Sequence, residues 1–269
     1  MLGLPGRSSS VMNVMILAVQ KAARGLVRDF CELEKLQVSR KDFGNFVTTA
    51  DRRSEDILLE ELSHARPEYD FLSEERGEVP AKNPRSRFEQ NGGYRWIVDP
   101  LDGTTNFWHG VPHFAVSIAL EHHQDIVAGV VFNPITDELF WGEKGCGAFL
   151  NNQRIRVSGR KSLEAAVIST GSVFGERYAK SAPHKLQSLI GKVGAFRHFG
   201  ACTLDLAFVA AGRFDAFFET QLPLWDKAAG ALLIREAGGY TAVLDDLPES
   251  LLGSNEALHD ALRRVLNGT

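Results

Sequence analysis

The chain has 269 residues, a formal net charge of −4 and 44% hydrophobic residues, which suits one large domain or two closely packed halves. Its mild acidity gives no electrostatic footprint for nucleic acid, which shows as a strongly basic face. Cys31, Cys146 and Cys202 lie far apart with no C-x-x-C pair, so neither a disulfide framework nor a zinc site is indicated and a cytoplasmic location is expected. No stretch approaches the roughly 18 apolar residues needed to span a bilayer. The short run Val11 to Val19 is broken by Asn13 and leads into Lys21 and Arg24 without a small-residue cleavage site, so it does not read as a signal peptide.

Residues 1–10 are rich in Gly, Pro and Ser and are expected to lack order, leaving residues 11–269 as a single domain of two packed α/β halves that meet near 150–160. From Val11 to Leu36 apolar residues recur at helical spacing, predicting a long amphipathic helix. A second helix is predicted from Asp51 to Ala65, stopped by Pro67. Tyr69 to Leu72 and Tyr94 to Val98 read as strands, and the polar, proline-bearing stretch Glu75 to Gly93 between them as a surface excursion. Phe114 to Leu120, Ile126 to Phe132 and Glu138 to Trp141 read as three successive strands. Further on come strands at Ala166 to Ser169 and Asp215 to Phe218, and helices at Leu204 to Ala211, Lys227 to Ala237 and Glu256 to Leu266. Interspersed strands and helices imply layered sheets covered by helices.

The most informative segment is Trp96-Ile97-Val98-Asp99-Pro100-Leu101-Asp102-Gly103-Thr104-Thr105-Asn106. An apolar strand ends in Asp99, Pro100 turns the chain and Asp102 follows, so two carboxylates project from one tight turn. Such a pair suits hard, oxygen-seeking cations such as Mg²⁺. Gly103 lets the backbone approach a ligand closely, and Thr104 and Thr105 could open a short helix whose amides favour phosphate. Asp-Pro or Asp-Gly alone would only mark a turn; the whole string points to a site.

The segment Asp99-Pro100-Leu101-Asp102-Gly103-Thr104-Thr105-Asn106-Phe107 resembles the first signature of the inositol monophosphatase family, without departure. Trp225-Asp226-Lys227-Ala228-Ala229-Gly230 resembles its second signature, Ser73-Glu74-Glu75 its strand-ending acidic pair and Val47-Thr48-Thr49-Ala50-Asp51 its upstream V-T-x-x-D element. By itself Asp226 reads first as an ordinary acid at a helix start, a reading that the Trp-Asp-x-Ala-Ala-Gly context reverses, and the residues leave open which of Glu74 and Glu75 points inward.

The resemblance implies a five-layered αβαβα sandwich of the inositol monophosphatase and fructose-1,6-bisphosphatase type, and a homodimer. It implies two or three Mg²⁺ ions per site. Glu74, Asp99 and the Leu101 carbonyl would hold one, and Asp99, Asp102 and Asp226 a second. A shared carboxylate can bridge cations about 4 Å apart. Thr104 would help Glu74 orient and deprotonate a water, with Asp51 holding Thr104, and the amides of Gly103 and Thr104 would grip phosphate.

On the substrate side the resemblance implicates Gly200, Cys202 and Glu219, the last lying seven residues before Asp226 (226 − 7 = 219). Cys202 departs modestly from the small residue usual there. The family's upstream lysine has no clean counterpart, because Arg40 and Lys41 both lie near its position. His109 and His113 follow the metal loop closely enough to approach the site, whereas His122-His123 reads as a solvated turn. The implied substrate is a small phosphate ester, inositol 1-phosphate or a related polyol or sugar monophosphate. Alternatives are fructose-1,6-bisphosphatase or nucleoside 3′,5′-bisphosphate phosphatase activity, or a regulatory role binding the transcription machinery.

Overall fold

The computed structural model describes residues 8–33, 40–82, 93–171 and 183–268. Helix α1 spans Ser10–Leu33. Met12, Met15, Ile16, Val19, Ala22, Leu26 and Phe30 fall on one side of it and are all buried, the stripe that a period of 3.6 dictates. Ser9 Oγ accepts from the Met12 amide at 3.1 Å and starts the helix, so order begins inside the stretch expected to be a loose tail, while residues 1–7 and 34–36 lie outside the described residues.

Helix α2 spans Arg40–Ala65 and thus starts before Asp51, taking in the whole V-T-x-x-D element. Gly44 and the β-branched Val47, Thr48 and Thr49 argue locally against a helix, a weak preference that tertiary context overrides. Arg53 Nη1 reaches Asp29 Oδ2 at 2.6 Å and ties α2 to α1.

A first sheet contains β1 (Asp70–Ser73), β2 (Gly77–Val79), β3 (Tyr94–Asp102), β4 (Ala115–His122), β5 (Asp125–Asn133), β6 (Glu138–Glu143), β7 (Gly147–Leu150) and β8 (Gln153–Arg154). Its order is β2-β1-β3-β4-β5-β6-β7-β8, with β1 parallel to β3 and the other neighbours antiparallel. Strand β2 lies within the expected surface excursion. It pairs at the edge with β1, where polar residues are tolerated because one side of the ladder faces solvent.

A second sheet, in the order β10-β9-β11-β13-β12, contains β9 (Val167–Thr170), β10 (Ala195–Arg197), β11 (Ala216–Glu219), β12 (Tyr240–Leu244) and β13 (Leu247–Ser254). The remaining helices are α3 (Thr104–Trp108), α4 (Pro183–Leu189), α5 (Cys202–Ala210), α6 (Leu224–Glu236) and α7 (Glu256–Asn267).

Alternation along the strands sorts the layers. Trp96, Val98, Val116, Ile118, Val130 and Trp141 enter the core under α1 and α2. Their neighbours Ile97, Ala115, Ala119, Val131 and Phe140 enter a second core with α5 and α6. Ile168, Ala216, Phe218 and Leu252 of the second sheet pack with α4 and α7 in a third. The result is five layers, αβαβα, with α5 and α6 in the middle. Both faces of the central strands are covered, which is why they read as continuous apolar runs.

The middle layer is close-packed because small residues meet there. A Cβ on Gly230 of α6 would run into the Leu206 side chain of α5, and one on Gly129 of β5 would come within 3.0 Å of the Ala229 Cα. Replacing Gly230 by Val should therefore lower the free energy of unfolding by about 1–3 kcal/mol. Urea denaturation measures this; an unchanged midpoint would mean that α5 and α6 can part without penalty.

Candidate active site

The residues of the acidic string are placed by local geometry. Asp99 pairs with Ser117 of β4 and Asp102 with Ala115, a register shift that leaves one extra residue on β3. A bulge of this kind re-aims side chains and tolerates Pro100, which has no amide to give to the ladder. The Leu101 amide donates to Asp99 Oδ1 at 3.1 Å, and Ser54 Oγ of α2 donates to the Pro100 carbonyl at 2.8 Å.

Gly103 then takes φ +87°, where a Cβ would sit 3.0 Å from the His113 carbonyl. Only glycine meets both demands. Phe107, fully buried, anchors the following helix α3 against Phe30 and Phe114.

Glu74 arrives from the neighbouring strand. Ser73 is in register with Val98, and the Glu74 amide donates to the Val98 carbonyl at 3.2 Å, so Glu74 and Asp99 come directly after the last paired residues of the β1–β3 ladder. The turn after Glu74 is fastened by the buried Glu55, which accepts from the Ser73 hydroxyl and, at 3.3 Å, from the Arg76 amide. Of the two adjacent acids, Glu74 is the leading charge acting on Asp99; both act on Asp51, and Glu75 faces Arg52 at 3.6 Å.

Asp99 is 1% exposed, and its carboxyl is held well above the usual carboxylate range, first by burial and then by Glu74, Asp102, Asp226 and Asp51. Four acids, from the turn after β1, the β3 bulge, α2 and α6, therefore act on the buried Asp99; of these Asp51 and Asp102 are also buried, Asp226 is half-buried and Glu74 is exposed. Burial, followed by Glu74, Glu75 and Glu55, pushes Asp51 up to about 8. Asp102 is raised mainly by burial, although the start of α5 opposes the rise. The Thr203 amide donates to Asp102 Oδ2 at 2.8 Å and the Thr203 hydroxyl donates to the same oxygen, a carboxylate placed at the positive end of a helix.

These donors are hard oxygens with surplus negative charge, and the set fits divalent cations. Among the described residues no three His, Cys, Asp or Glu side chains are closed around one point as a finished ligand set. Bringing such acids together requires the countercharge.

A pocket of about 410 Å³ opens beside the cluster. Its lining includes Asp102 and Asp226 together with Gly200, Cys202 and Glu219, five of the positions singled out from sequence. Cys202 Sγ donates to the Asp226 carbonyl at 3.7 Å; burial and the surrounding acids push its thiol up, so it stays protonated. The Thr104 hydroxyl donates to the Leu101 carbonyl at 3.1 Å. A hydroxyl has one proton to give, so Thr104 does not also donate to Asp51, whose Oδ1 has no hydrogen-bond partner in the protein.

His109 stacks on Trp108 and His113 packs between Phe199 and Phe208; neither lines the pocket. Arg40 and Lys41 lie in the first turn of α2.

Sequence reading missed three contributors. Asn106 Nδ2 donates to the carbonyls of His113 and Phe199, at 2.8 and 2.7 Å, tying the segment before β4 to the pocket-lining segment before α5. Phe199 and Asp205 line the pocket. The sequence did carry a signal for Asp205: it is the lone acid in a short helix that is otherwise apolar or small, and such helices are buried.

A layered α/β fold with crowded acids at strand ends, a left-handed glycine beside them and a polar pocket defines a hydrolase of anionic phosphate esters. The inositol monophosphatase family model matches residues 8–262. The chain is 49% identical over 264 residues to the inositol-1-monophosphatase of Rhizobium meliloti (strain 1021), covering 96% of both. It is 42% identical to the Nus factor SuhB of Pseudomonas aeruginosa, over 86% of this chain and 84% of that protein. The crystal structure of extragenic suppressor protein suhB from Bartonella henselae superposes with a TM-score of 0.82 at 45% identity, over 96% of this chain and 100% of that one. The chain therefore belongs to the inositol monophosphatase family, a family of metal-dependent phosphoric monoester hydrolases, and is a phosphatase.

The raised Asp51 has a measurable consequence. Its carboxyl binds a proton more tightly folded, near pH 8, than at the ordinary value of 3.8. Between those limits the folded state holds more protons than the unfolded one, so stability falls as pH rises. In a chelating buffer, chemical denaturation across pH 5–8 should show this decline, and Asp51→Asn should flatten it. An equally steep decline in the variant would assign the slope to other groups.

Proposed function

We propose that this chain is a Mg²⁺-dependent phosphatase hydrolysing inositol 1-phosphate or a related small polyol or sugar monophosphate. The observation that carries the reading is the buried Asp99 with four other acids acting on it, beside a pocket large enough for a sugar-sized alcohol. Glu74, Asp99 and the Leu101 carbonyl would hold one ion, and Asp99, Asp102 and Asp226 another, two or three in all. When bound, the ions neutralise phosphate charge and activate the attacking water.

The chain's own residues supply positioning. Thr203 fixes one oxygen of Asp102 and so directs the other. Thr104 orients the Leu101 carbonyl through its hydroxyl. Gly103 brings the main chain close enough for its amide and that of Thr104 to hold phosphate oxygens. Glu74, exposed at the edge of the cluster, would take a proton from water, and Asp51 would stabilise the cluster by remaining protonated when cations are scarce. Glu219 accepts from a hydroxyl of the leaving alcohol, against a wall made by Gly200 and Cys202. Catalysis of this kind is mostly charge neutralisation and alignment.

A cytoplasmic homodimer inhibited by Li⁺ completes this reading. Its location is supported by three unpaired cysteines, and among the described residues no helix is long and apolar enough to cross a membrane.

A second reading, a regulatory role through binding the transcription machinery, is favoured by relatives named Nus factor SuhB at 36–42% identity. Co-purification with RNA polymerase, undiminished in Asp99→Asn, would support it.

A panel of phosphate esters assayed with Mg²⁺ and with a chelator tests the first reading. Phosphate release should require Mg²⁺, and Asp102→Asn or Asp226→Asn should reduce kcat/KM by about 100- to 1,000-fold. Release that persists in chelator would overturn the assignment.

A further inference from the structure

The pocket wall formed by α5 contains a second carboxyl that the reaction above does not use. Asp205, in the first turn of α5, is 1% exposed, lines the pocket and leaves Oδ1 without a hydrogen-bond partner in the protein. A buried carboxyl oxygen left unpaired destabilises the fold, and strain of this sort is concentrated where a ligand relieves it.

The charges acting on Asp205 are Asp102 first and then Glu219. Asp205 shares the pocket with Asp102 and Asp226 of the acidic cluster and with Glu219, on the side where the alcohol part of the substrate would lie. Gly171 makes room there, since a Cβ on it would run into the Glu219 carboxylate.

We propose that Asp205 is a specificity-determining residue that hydrogen-bonds a hydroxyl group of the leaving alcohol, so that the pocket selects phosphate esters of polyols over those of simple alcohols. Burial, with Asp102 and Glu219, holds its carboxyl well above the usual range, so Asp205 can donate where Glu219 accepts. A site with donor and acceptor already in place rejects an alcohol that lacks the matching group more strongly than an apolar site rejects a missing methylene.

The inference rests on the phosphatase reading, and the test separates the two. Steady-state kinetics in Mg²⁺ compares the unchanged chain with Asp205→Ala and Asp205→Asn on inositol 1-phosphate and on phenyl phosphate, whose alcohol has no further hydroxyl. Asp205→Ala should lower kcat/KM for inositol 1-phosphate about 10- to 100-fold, mainly through KM. It should leave phenyl phosphate within about twofold and keep or raise Tm. Asp205→Asn, which retains a donor and an acceptor, should recover most of the loss. Equal losses on both esters, as a displaced α5 and Asp102 would give, would overturn the proposal, as would no loss on either. Failure of the unchanged chain to hydrolyse either ester with Mg²⁺ would instead remove the phosphatase reading beneath it.

Discussion

Like charges crowded out of water are the constraint around which this molecule is arranged. Asp99 is buried among Glu74, Asp102, Asp226 and Asp51. A carboxylate at a surface would stay ionised; burial together with these four neighbouring charges raises the proton affinity of Asp99. The fold holds them there regardless, by a strand bulge at Asp99–Asp102, a parallel register that sets Glu74 beside Asp99 and a helix start that presents Asp226. A site with this built-in repulsion is relieved by protons or by metal cations, which accords with the metal dependence of the family.

The two halves of the sandwich meet through that same site. Asp102 belongs to the first sheet, yet its Oδ2 accepts from Thr203 at the start of α5. Asn106 belongs to α3, yet it donates to Phe199 ahead of α5. Asp226 opens α6, whose small residues seat it between α5 and β5. The middle helices therefore act as the alignment layer. Tight helix packing at Gly230 and Gly129 turns into a fixed separation between carboxylates contributed by different parts of the chain.

Much of the fold could be read directly. The stripe from Met12 to Phe30, the central strands and the helices at α6 and α7 follow from periodicity. Less legible were elements whose stability is not local. Helix α2 runs through the poor helix formers Val47 to Thr49, and β2 is a three-residue edge strand that exists only because β1 offers it a ladder. Strand β12, and strand β13 with a proline, a glutamate and a glycine among its apolar residues, were not recognised at all. In the site, the carboxylates were legible because D-P-L-D-G-T-T-N-F is long and unusual. Asn106 and Asp205 were not, because their importance lies in reaching partners or a cavity formed by distant segments.

Residue order settled which chemistry is available: hard oxygen donors, a glycine able to take a left-handed turn and a phosphate-sized loop, because these depend on side-chain type and on neighbours a few positions away. Three-dimensional packing settled which strands bring Asp99 and Asp102 under the start of α5, where the Thr104 proton goes and that Asp205 faces the pocket. Those outcomes depend on distances between segments up to a hundred residues apart along the chain, such as Asp102 and Thr203 (203 − 102 = 101). No local pattern encodes such distances; they arise when the layers close on one another.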